Sequence, residues 1–573
     1  MNHRLNQTVL IRSSQPENLH GHFAHEILKT EGLNGFTLVD ADTAGWPTFG
    51  ENDLVLLTRC HLRRAEIGSL RASVEAGARV VCLQPPWELA HAFGWESRMA
   101  VTLPGWVQVR DGWPGAGTPL QTHVPVALCE PGEDCEEWEP ISAAMDAKWQ
   151  ETGSPAVVRQ HVGRGEMTFF FYDLAHAVAR LRFGDPQLAS LLTTGLWDWP
   201  HSTDMFMHDV DERVVHLPQA ELHGQLLAAA LTASAPQPLA RLWYFPEARH
   251  ETVGVISGDD DWSTPEQFDL QSQSLLQRGA RTTYYLVTDT MLSDEHVQRL
   301  RDAGHGMGPH VNARAHGDSL YFAFFDQVDE ETRAFRERYG EPSATLQCHC
   351  APWMGHLEWA GQMRARGYRM LLNYLTHSAL LCRFLCGGGR PIKFPQADGR
   401  IIDCWQQPKT NYDDSSIIDR LGNQVEDALA DFSDHFAEAR KHHSAIGILS
   451  HPISFATYSQ RYMEGCWDMM VEAGAPLLSA DQWCEYQDRR YAVEMCQSID
   501  ETGAVRVTVS NTRGPVSLMV PINDDQFDDS VTVNGEAVDA TRHHRLGADY
   551  RFIAVGSAIP ADHIEILIEA HHG

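Results

Sequence analysis

The sequence has no stretch of about 18 consecutive apolar residues, which is the length that a membrane-spanning helix needs. Its first residues, MNHRLNQTVLIRSSQPENLHG, contain no apolar run long enough for the core of a signal peptide. Basic residues are also few, because 45 Lys and Arg stand against 77 Asp and Glu and leave a net charge of −32. We therefore expect a cytoplasmic protein that binds neither nucleic acid nor an anionic membrane, since both select basic surfaces.

Cysteine is scarce as well, with 12 residues spread over a chain of 573. This usage is typical of reduced thiols in hydrophobic cores rather than of a disulfide framework. A zinc site could be built from Cys348, Cys350, Cys382 and Cys386, but their CxC and CxxxC spacings are not those of a zinc knuckle, so we favour buried thiols.

The length predicts two to four domains, and an apolar content of 43% supports folded cores throughout. Up to about residue 240, short apolar runs (QTVLIRS, FTLVDAD, DLVLLTRC and RVVCLQP) alternate with amphipathic segments such as LRRAEIGSLRASVEAGA. This order predicts an α/β domain over residues 1–240, with a doubly wound parallel sheet covered by helices.

The pattern resembles the flavodoxin-like fold of class I glutamine amidotransferases. That activity would require a cysteine in a Gly-x-Cys-x-Gly turn, because glycines permit the strained backbone there. In this chain RVVCLQPPW leads into Gln84, Pro85 and Pro86, and Cys60 is interpreted as a buried thiol. We therefore predict that the domain is not catalytic.

Two further regions follow. The Pro- and Ala-rich segment ASAPQPLARLWYFPEARHE is interpreted as a linker that enters a new core, and strand-like and helix-like segments alternate again over residues 250–487. Period-2 runs with an Asn534–Gly535 turn signal predict a small antiparallel β domain over residues 490–573.

Three consecutive aspartates, Asp259 to Asp261, end a buried strand in VGVISGDDDWSTPEQ. Thr264 can cap a helix that begins at Pro265, so the aspartates lie in the turn between a strand and a helix. Active sites of α/β folds gather at that end of the strands. Adjacent carboxylates repel one another, so a cation should lie near them.

This segment resembles the first motif of the polysaccharide deacetylases, the NodB-homology or carbohydrate esterase 4 family, in which a strand is followed by Phe-Asp-Asp-Gly. The resemblance implies a distorted (β/α) barrel of NodB type, with Asp259 as the general base and Asp260 as a ligand of a divalent metal. Asp261 occupies the place of the usual glycine, which leaves open an assignment shifted by one residue.

A second motif follows a helix that is capped by Ser293 and ends near Gly304. The segment GHGMGPH resembles the family's Gly-His-Glu-Ile-Gly-Asn-His, which implies that His310 is a metal ligand. The family's next ligand lies four residues later, where this chain has Arg314, and His316 is the nearest substitute. We interpret His305 as a structural histidine.

The family's third motif, Arg-x-Pro-Tyr/Trp, lines the groove and orients the base. In CHCAPWMG, Pro352 and Trp353 match it, but Cys350 replaces the arginine. We therefore take His349, Trp353 and Trp262 as substrate-binding candidates. A histidine satisfied inside the core is the alternative for His349.

The last motif is Leu-x-His, and AIGILSHPISF fits it, which implies that His451 is the general acid. Asp403 or Asp413 could pair with this histidine. The resemblance implies that the metal and backbone N–H groups near Trp353 stabilise the oxyanion. The metal is expected to be zinc, with cobalt, nickel or manganese as alternatives.

The leading hypothesis is a metal-dependent hydrolase of linear C–N amide bonds that deacetylates an amino sugar or a related small N-acyl substrate. Two alternatives stay open: a cyclic ureide or imide amidohydrolase of the same superfamily, and an inactive sugar-binding module. The expected partner is a saccharide or another small molecule, and a homo-oligomer is possible.

Overall fold

The structure is a computed structural model. It describes residues 3–192, 199–209, 211–312, 320–375, 383–396, 398–411, 413–420, 422–501, 503–522, 530–556 and 561–569.

The first region contains strands and helices in alternation. Its strands are β1 His3–Arg4, β2 Asn6–Ile11, β3 Thr37–Asp40, β4 Asp53–Leu57, β5 Arg79–Leu83, β6 Trp95–Thr102, β7 Trp106–Val109, β8 Pro119–Gln121, β9 Val126–Pro131, β10 Trp138–Met145, β11 Glu151–Val162 and β12 Gly165–Phe170. Its helices are α1 Gly21–Thr30, α2 Ala41–Ala44, α3 Arg64–Glu75, α4 Trp87–Ala92, α5 Leu174–Phe183 and α6 Gln219–Ser234.

Nine of these strands form one sheet in the order β3-β2-β4-β5-β12-β11-β10-β7-β8. The first five are parallel, and β2 to β5 coincide with the four predicted strands. The other strands are antiparallel, and the sequence analysis did not find them. Gly153 and Pro155 interrupt the strand pattern of β11, because both residues are disfavoured inside strands.

The end of β5 carries no nucleophile. Gln84 adopts a left-handed conformation with a φ of 42°, and its side chain is an amide. Cys60 is buried, and burial raises the pKa of its thiol to about 12, so the thiolate does not form at neutral pH. That this region is not catalytic stays a prediction.

The predicted linker is instead part of a folded core. Strand β13, Arg241–Leu242, pairs with a strand of the last region, and the aromatic residues Trp243 to Phe245 are buried. Glu31 at the end of α1 is buried between Arg241 (3.0 Å) and Arg390 (2.9 Å). Burial of the aromatic run outweighs the loop signal of the prolines before it, so the three regions are in direct contact here.

The central region contains strands β14 Gly254–Asp259, β15 Thr283–Leu286, β16 Gly306–Pro309, β17 Thr345–Leu346, β18 Met370–Leu375, β19 Ile392–Pro395, β20 Ile401–Lys409, β21 Ile446–Ser450 and β22 Leu477–Ser479. Its helices are α7 Pro265–Gln277, α8 Asp294–Asp302, α9 Leu320–Tyr339, α10 Glu358–Ala365, α11 Val425–Lys441, α12 Pro452–Ser454, α13 Gln460–Glu472 and α14 Ala480–Ala492. The predicted caps are confirmed: Thr264 and Gln267 form a capping box on α7, and Ser293 caps α8.

The central strands form two sheets. One has the order β16-β15-β14-β21, with β22 also paired to β14, and the other has the order β17-β18-β20-β19. All pairs are parallel except β19 with β20. The sheets contact each other through β16 with β17 and through β20 with β21. The α/β class is confirmed, and closure into a NodB-type barrel stays a prediction.

The last region contains β23 Glu494–Ile499, β24 Val505–Thr512, β25 Val516–Pro521, β26 Ser530–Val533, β27 Glu536–Ala537, β28 Thr541–Arg545, β29 Ala548–Val555 and β30 Ala561–Glu569. They form two antiparallel sheets, one of which includes β1 and the other β13. Asn534 and Gly535 both have positive φ between β26 and β27, which confirms the predicted turn.

Among the described residues, no helix combines the length and the hydropathy that crossing a membrane requires. Cys348 and Cys386 are buried thiols in hydrophobic surroundings. Cys382 lies outside the described residues.

Candidate active site

The three consecutive aspartates point in different directions. Asp259 ends β14, and the Gln347 amide donates to its Oδ2. Asp260 accepts hydrogen bonds from the backbone N–H groups of Val287 and Ser263, both at 3.2 Å. Asp261 has a left-handed backbone with a φ of 41°, which turns its carboxylate back towards the ends of the strands.

His310 follows β16 and is fully buried. Its Nδ1 lies 3.1 Å from the Gln347 carbonyl oxygen, which can only accept, so Nδ1 carries the proton. Its Nε2 lies 3.2 Å from Asp261 Oδ1 and 3.6 Å from Asp259 Oδ2. In the neutral ring the lone pair of Nε2 therefore faces two carboxylates, an arrangement that requires a positive charge between them.

The pKa shifts of His310 and Asp261 also indicate a positive charge between the carboxylates. Burial would lower the pKa of His310, but the charges of Asp259 and Asp261 raise it above its usual value. Burial would raise the pKa of Asp261, but its contact with His310 and the charge of His451 hold that pKa well below the usual range. Either a proton on the His310 ring or a metal ion would supply this positive charge.

The polar atoms of Asp259, Asp261 and His310 could hold a metal ion as the positive charge. Within the described residues, Asp259 Oδ1 is buried and has no hydrogen-bond partner, whereas Asp261 Oδ1 and His310 Nε2 are buried and lie 3.2 Å from each other. Buried polar atoms are rarely left without a hydrogen-bond partner, and a carboxylate with a neutral imidazole is a common set of zinc ligands. These residues therefore fit the divalent metal that the sequence implies.

Asp260, the predicted metal ligand, is bound by backbone N–H groups. Burial raises the pKa of its carboxyl to about 6, and its hydrogen bonds tie the loop after β14 to the loop after β15. Successive strand residues point to opposite sides, and β14 ends at Asp259. The turn that follows therefore directs the Asp260 carboxylate away from His310 and the Asp261 carboxylate towards it. The carboxylate beside His310 is therefore that of Asp261 rather than Asp260, while Asp259 keeps the position that the sequence analysis assigned to the base.

His451 follows β21 and meets Asp261 from the other side, with Nε2 3.6 Å from Asp261 Oδ2. Its Nδ1 lies 2.7 Å from Oδ1 of Asp414, a fully buried carboxylate. Burial would lower the pKa of His451, but the charge and hydrogen bond of Asp414 raise it to about 10. The ring is therefore fixed with its protonated Nε2 directed at the site.

Asp403 and Asp413, the two predicted partners of His451, have other contacts. Asp403 pairs with Lys393 (2.6 Å) and Arg364 (3.1 Å). Asp413 accepts hydrogen bonds from Ser415 and Ser416. The true partner is the acid next to Asp413, because the short π-helical turn that begins at residue 415 directs Asp414 inward.

Donor atoms of Asp413, Asp414 and His451 lie within 4.8 Å of one another. Asp414 also accepts hydrogen bonds from Ser459 Oγ (2.8 Å) and from the His451 backbone N–H (3.2 Å). These oxygens are already satisfied by protein donors. We therefore interpret the group as a network that orients His451 rather than as a metal centre.

His349 lies beside His310, three residues after β17. The two ring centroids are 5.5 Å apart, and Trp262 packs edge-on against His349 at 5.8 Å. The loop after His349 is strained, since Cys350 and Ala351 have φ values of 59° and 45°. The structure thus places His349 and Trp262 beside His310, and their role in binding substrate stays a prediction.

The first region supports this strained loop. His201 Nε2 and Trp199 Nε1 both donate to the Cys350 carbonyl oxygen, at 2.9 and 3.4 Å. The Trp353 N–H donates to the Pro200 carbonyl oxygen at 2.9 Å. Residues outside the central region therefore fix the position of the loop that carries His349.

Trp353 is not a groove residue. Its side chain is 1% exposed and packs against Trp359, Tyr374 and Phe394 in the hydrophobic core. Its backbone N–H is engaged by Pro200, so this group does not serve as the expected oxyanion donor. The left-handed turn at Ala351 directs the indole inward, which the motif alone does not reveal.

Two predictions for the second motif have different outcomes. His305 is structural as expected: it bonds Ser272 Oγ (2.8 Å) and the Thr282 N–H (3.2 Å), and burial lowers its pKa to about 4. His316 and Arg314 lie outside the described residues.

The sequence analysis did not single out three residues of the site. Gln347 binds both Asp259 and His310, and Asp414 orients His451. Lys409, at the end of β20, is buried, and burial lowers its pKa although the charge of Asp259 opposes the change. Gln347 lies two residues before His349 and Lys409 ends a strand, so proximity to a strand end was the available signal.

A cavity of about 240 Å³ adjoins the site. Its lining includes Asp289, Asn312, Glu330 and Glu331. Asp289 accepts a hydrogen bond from Trp262 Nε1 at 2.8 Å, and Asn312 Oδ1 lies 2.9 Å from His349 Nδ1. Asp289 and Asn312 therefore connect the acidic wall of the cavity to the two aromatic rings of the site.

No family model and no curated protein sequence matches the chain. Among solved structures, the chain is similar to Agd3, described as a carbohydrate deacetylase, with 11% identity over 99% of this chain and 100% of that chain and a TM-score of 0.44. It is similar to a polysaccharide deacetylase from Bacillus cereus at 16% identity, over 40% of this chain and 91% of that one, with a TM-score of 0.27. A pseudoenzyme of carbohydrate esterase family 4 is similar at 11% identity, over 42% and 68% of the two chains, with a TM-score of 0.26. We base the functional conclusion on the side chains of the site.

Proposed function

We propose that the protein is a metal-dependent hydrolase that removes the acyl group from an N-acylated amino sugar or a related small N-acyl substrate. One observation carries the proposal: His310 Nε2 faces Asp261 Oδ1 at 3.2 Å, while His451, fixed by Asp414, faces the other oxygen of the same carboxylate at 3.6 Å. Asp261 and His310, which could hold a cation, thus lie beside the proton donor His451. Metal-assisted hydrolysis of an amide uses both parts.

Asp261 and His310 would hold the cation. A divalent metal bound there polarises the acyl carbonyl and lowers the pKa of water. A carboxylate and imidazole set suits zinc and also accepts cobalt, nickel or manganese. The His310 Nδ1–H bond to the Gln347 carbonyl oxygen keeps Nε2 unprotonated in the neutral ring, which is the form that binds a metal.

Asp259 and His451 would transfer the protons. Asp259, held by the Gln347 amide, accepts a proton from the attacking water as the new C–O bond forms. His451 donates its Nε2 proton to the amine nitrogen as the C–N bond breaks. The products are a carboxylic acid and a free amine, so atoms and protons balance.

The surroundings of the site support a saccharide-sized substrate. The lining of the adjoining cavity of about 240 Å³ includes Asp289, Glu330 and Glu331, and Asp289 accepts a hydrogen bond from the Trp262 indole. Aromatic rings stack on the apolar faces of sugars, and an acidic wall disfavours anionic substrates. A neutral or cationic amino sugar therefore fits better than an acidic one.

The test measures acetate release from N-acetylated hexosamine oligomers by the purified full-length protein, with and without added divalent metal. We expect release that a chelator abolishes and that zinc or cobalt restores. Cyclic ureides serve as competing substrates, and ring opening without acetate release would contradict the proposal.

Two adjacent aspartates provide matched variants. Asp261→Asn should abolish metal binding and acetate release together, whereas Asp260→Asn, which alters a carboxylate bound to backbone N–H groups, should retain the metal. Metal content is measured on both variants after dialysis. A protein that binds no metal and still binds sugars would instead be a binding module.

A further inference from the structure

We infer that Gln347 is a catalytic residue, which holds the attacking water together with Asp259. The inference rests on the proposed function, since it concerns the water of that reaction. Gln347 directly follows β17 and is fully buried, and Asp259 at the end of β14 is also buried. Their side chains are joined, because the Gln347 Nε2 amide donates to Asp259 Oδ2.

This hydrogen bond fixes the direction of the Gln347 amide. A carboxylate oxygen accepts hydrogen bonds, so the end of the amide that meets Asp259 Oδ2 is the N–H end, and Oε1 is directed elsewhere. The backbone of the same residue is also held, because its carbonyl oxygen lies 3.1 Å from His310 Nδ1. Gln347 is therefore fixed at the site through both its backbone and its side chain.

Each of the two joined side chains has one oxygen without a donor. Among the described residues, Gln347 Oε1 and Asp259 Oδ1 are buried and have no hydrogen-bond partner. The buried Lys409 ammonium affects neither atom by a hydrogen bond. Unsatisfied buried atoms are rare, and ordered water is a common partner for them. Since both atoms accept, a water molecule with its two hydrogens fits them.

A water held by both oxygens is oriented for attack. One hydrogen is bound by Asp259 Oδ1 and the other by Gln347 Oε1, so the lone pairs of the water face away from both residues and towards the substrate. As the new C–O bond forms, the first hydrogen passes as a proton to Asp259, and the second stays on the oxygen. His451 gives its proton to the amine nitrogen as the C–N bond breaks. A nucleophile fixed in this way reacts with less loss of entropy.

The first test measures which nucleophile the metal-loaded, full-length protein accepts. Deacetylation in dilute methanol gives acetate from water and methyl acetate from methanol. Methanol has one hydroxyl hydrogen and would leave one of the two buried oxygens unpaired, so the wild type should form little ester. Gln347→Leu removes Oε1 and should raise the ester fraction at least about 10-fold.

Two variants separate this role from the support of Asp259. Gln347→Glu keeps an oxygen that accepts, so its ester fraction should equal that of the wild type even where its kcat falls. Gln406→Leu is the matched control and should also leave the ester fraction unchanged. Gln406 is buried and has an unpartnered Oε1, but its Nε2 donates to the Cys404 carbonyl oxygen.

The ester fraction decides the inference in either direction. A value in Gln347→Leu equal to that of the wild type would overturn it, and so would a rise in Gln347→Glu as large as the rise in Gln347→Leu. Gln347→Met, which is unbranched like glutamine, takes the place of Gln347→Leu if that variant does not fold.

A crystal structure of the full-length protein tests the inference without turnover. An ordered water within hydrogen-bond distance of Asp259 Oδ1 and Gln347 Oε1 is expected in the wild type and should be absent from Gln347→Leu. That water in a protein that releases no acetate would contradict only the proposed function. Acetate release by a protein that has no water at this position would contradict only this inference.

Discussion

Replacement of Asp414 by asparagine tests how His451 is activated. The two groups are separated by 2.7 Å, and the carboxylate is fully buried. With charge centres about 4 Å apart and an effective dielectric constant near 20, the interaction is worth about 4 kcal/mol, or ~3 pH units. The pKa of His451, which is raised to about 10, should therefore fall to near neutrality in Asp414→Asn.

The direction of the effect on the reaction follows from the role of His451. A general acid acts while it is protonated, so activity is lost as the pH rises through the pKa of its ring. The alkaline limb of kcat should move from about pH 10 to about three units lower, and kcat at pH 8.5 should fall by one to two orders of magnitude.

The assay is the pH dependence of kcat for acetate release with saturating metal. Asp413→Asn is the control, because Asp413 is mainly bound to Ser415 and Ser416, and its alkaline limb should move much less. An alkaline limb that is the same in Asp414→Asn and in the wild type would refute the assignment of His451 as the acid.

Three further predictions concern other buried groups. Gln347→Leu removes the side-chain amide that donates to Asp259 but keeps the backbone carbonyl that binds His310. Loss of a hydrogen bond of about 1.5–3 kcal/mol should lower kcat about 10- to 100-fold, while metal affinity, measured by competition with a chelator, stays near that of the wild type. A parallel loss of metal would contradict this prediction. Glu31→Gln breaks a buried pair and should destabilise the fold by about 3–5 kcal/mol in urea denaturation, whereas Glu247→Gln, in an exposed pair, should cost less than about 1 kcal/mol; equal midpoints would refute this. The buried Cys60 should resist alkylation in the folded protein and react only after unfolding, as a mass shift would report, and Cys60→Ser should keep full activity.

The framework of the site could be predicted because local patterns determine it. A buried apolar run ending in Asp259, and the caps at Thr264 and Ser293, identify strand ends and helix starts without knowledge of the fold. His310 and His451 were found through the resemblance to the second and last deacetylase motifs, and the structure places both after strands whose carboxyl ends lie at one edge.

The choice among adjacent carboxylates could not be predicted. Whether Asp260 or Asp261 faces His310 depends on a left-handed φ of 41° at a residue that is not glycine. Whether Asp413 or Asp414 meets His451 depends on a short π-helical turn. In both pairs the residue types are identical, so only the backbone distinguishes them.

Long-range pairing was also beyond the sequence pattern. Strands β1 and β13 are two residues long, too short to show a periodicity, and each joins a sheet whose other members lie more than 200 residues away. The antiparallel strands after β5 were missed where glycine and proline interrupt the alternation.

The contacts from Trp199, Pro200 and His201 to the loop after His349 have a consequence for how the molecule can change over time. Residues 199–201 have no proposed role in the reaction, but substitutions there should affect turnover. Their contacts fix the loop that positions the His349 imidazole. Selection for activity should therefore limit sequence change around residue 200. A chimera that carries this segment from a distant homologue should displace the His349 ring and lose activity.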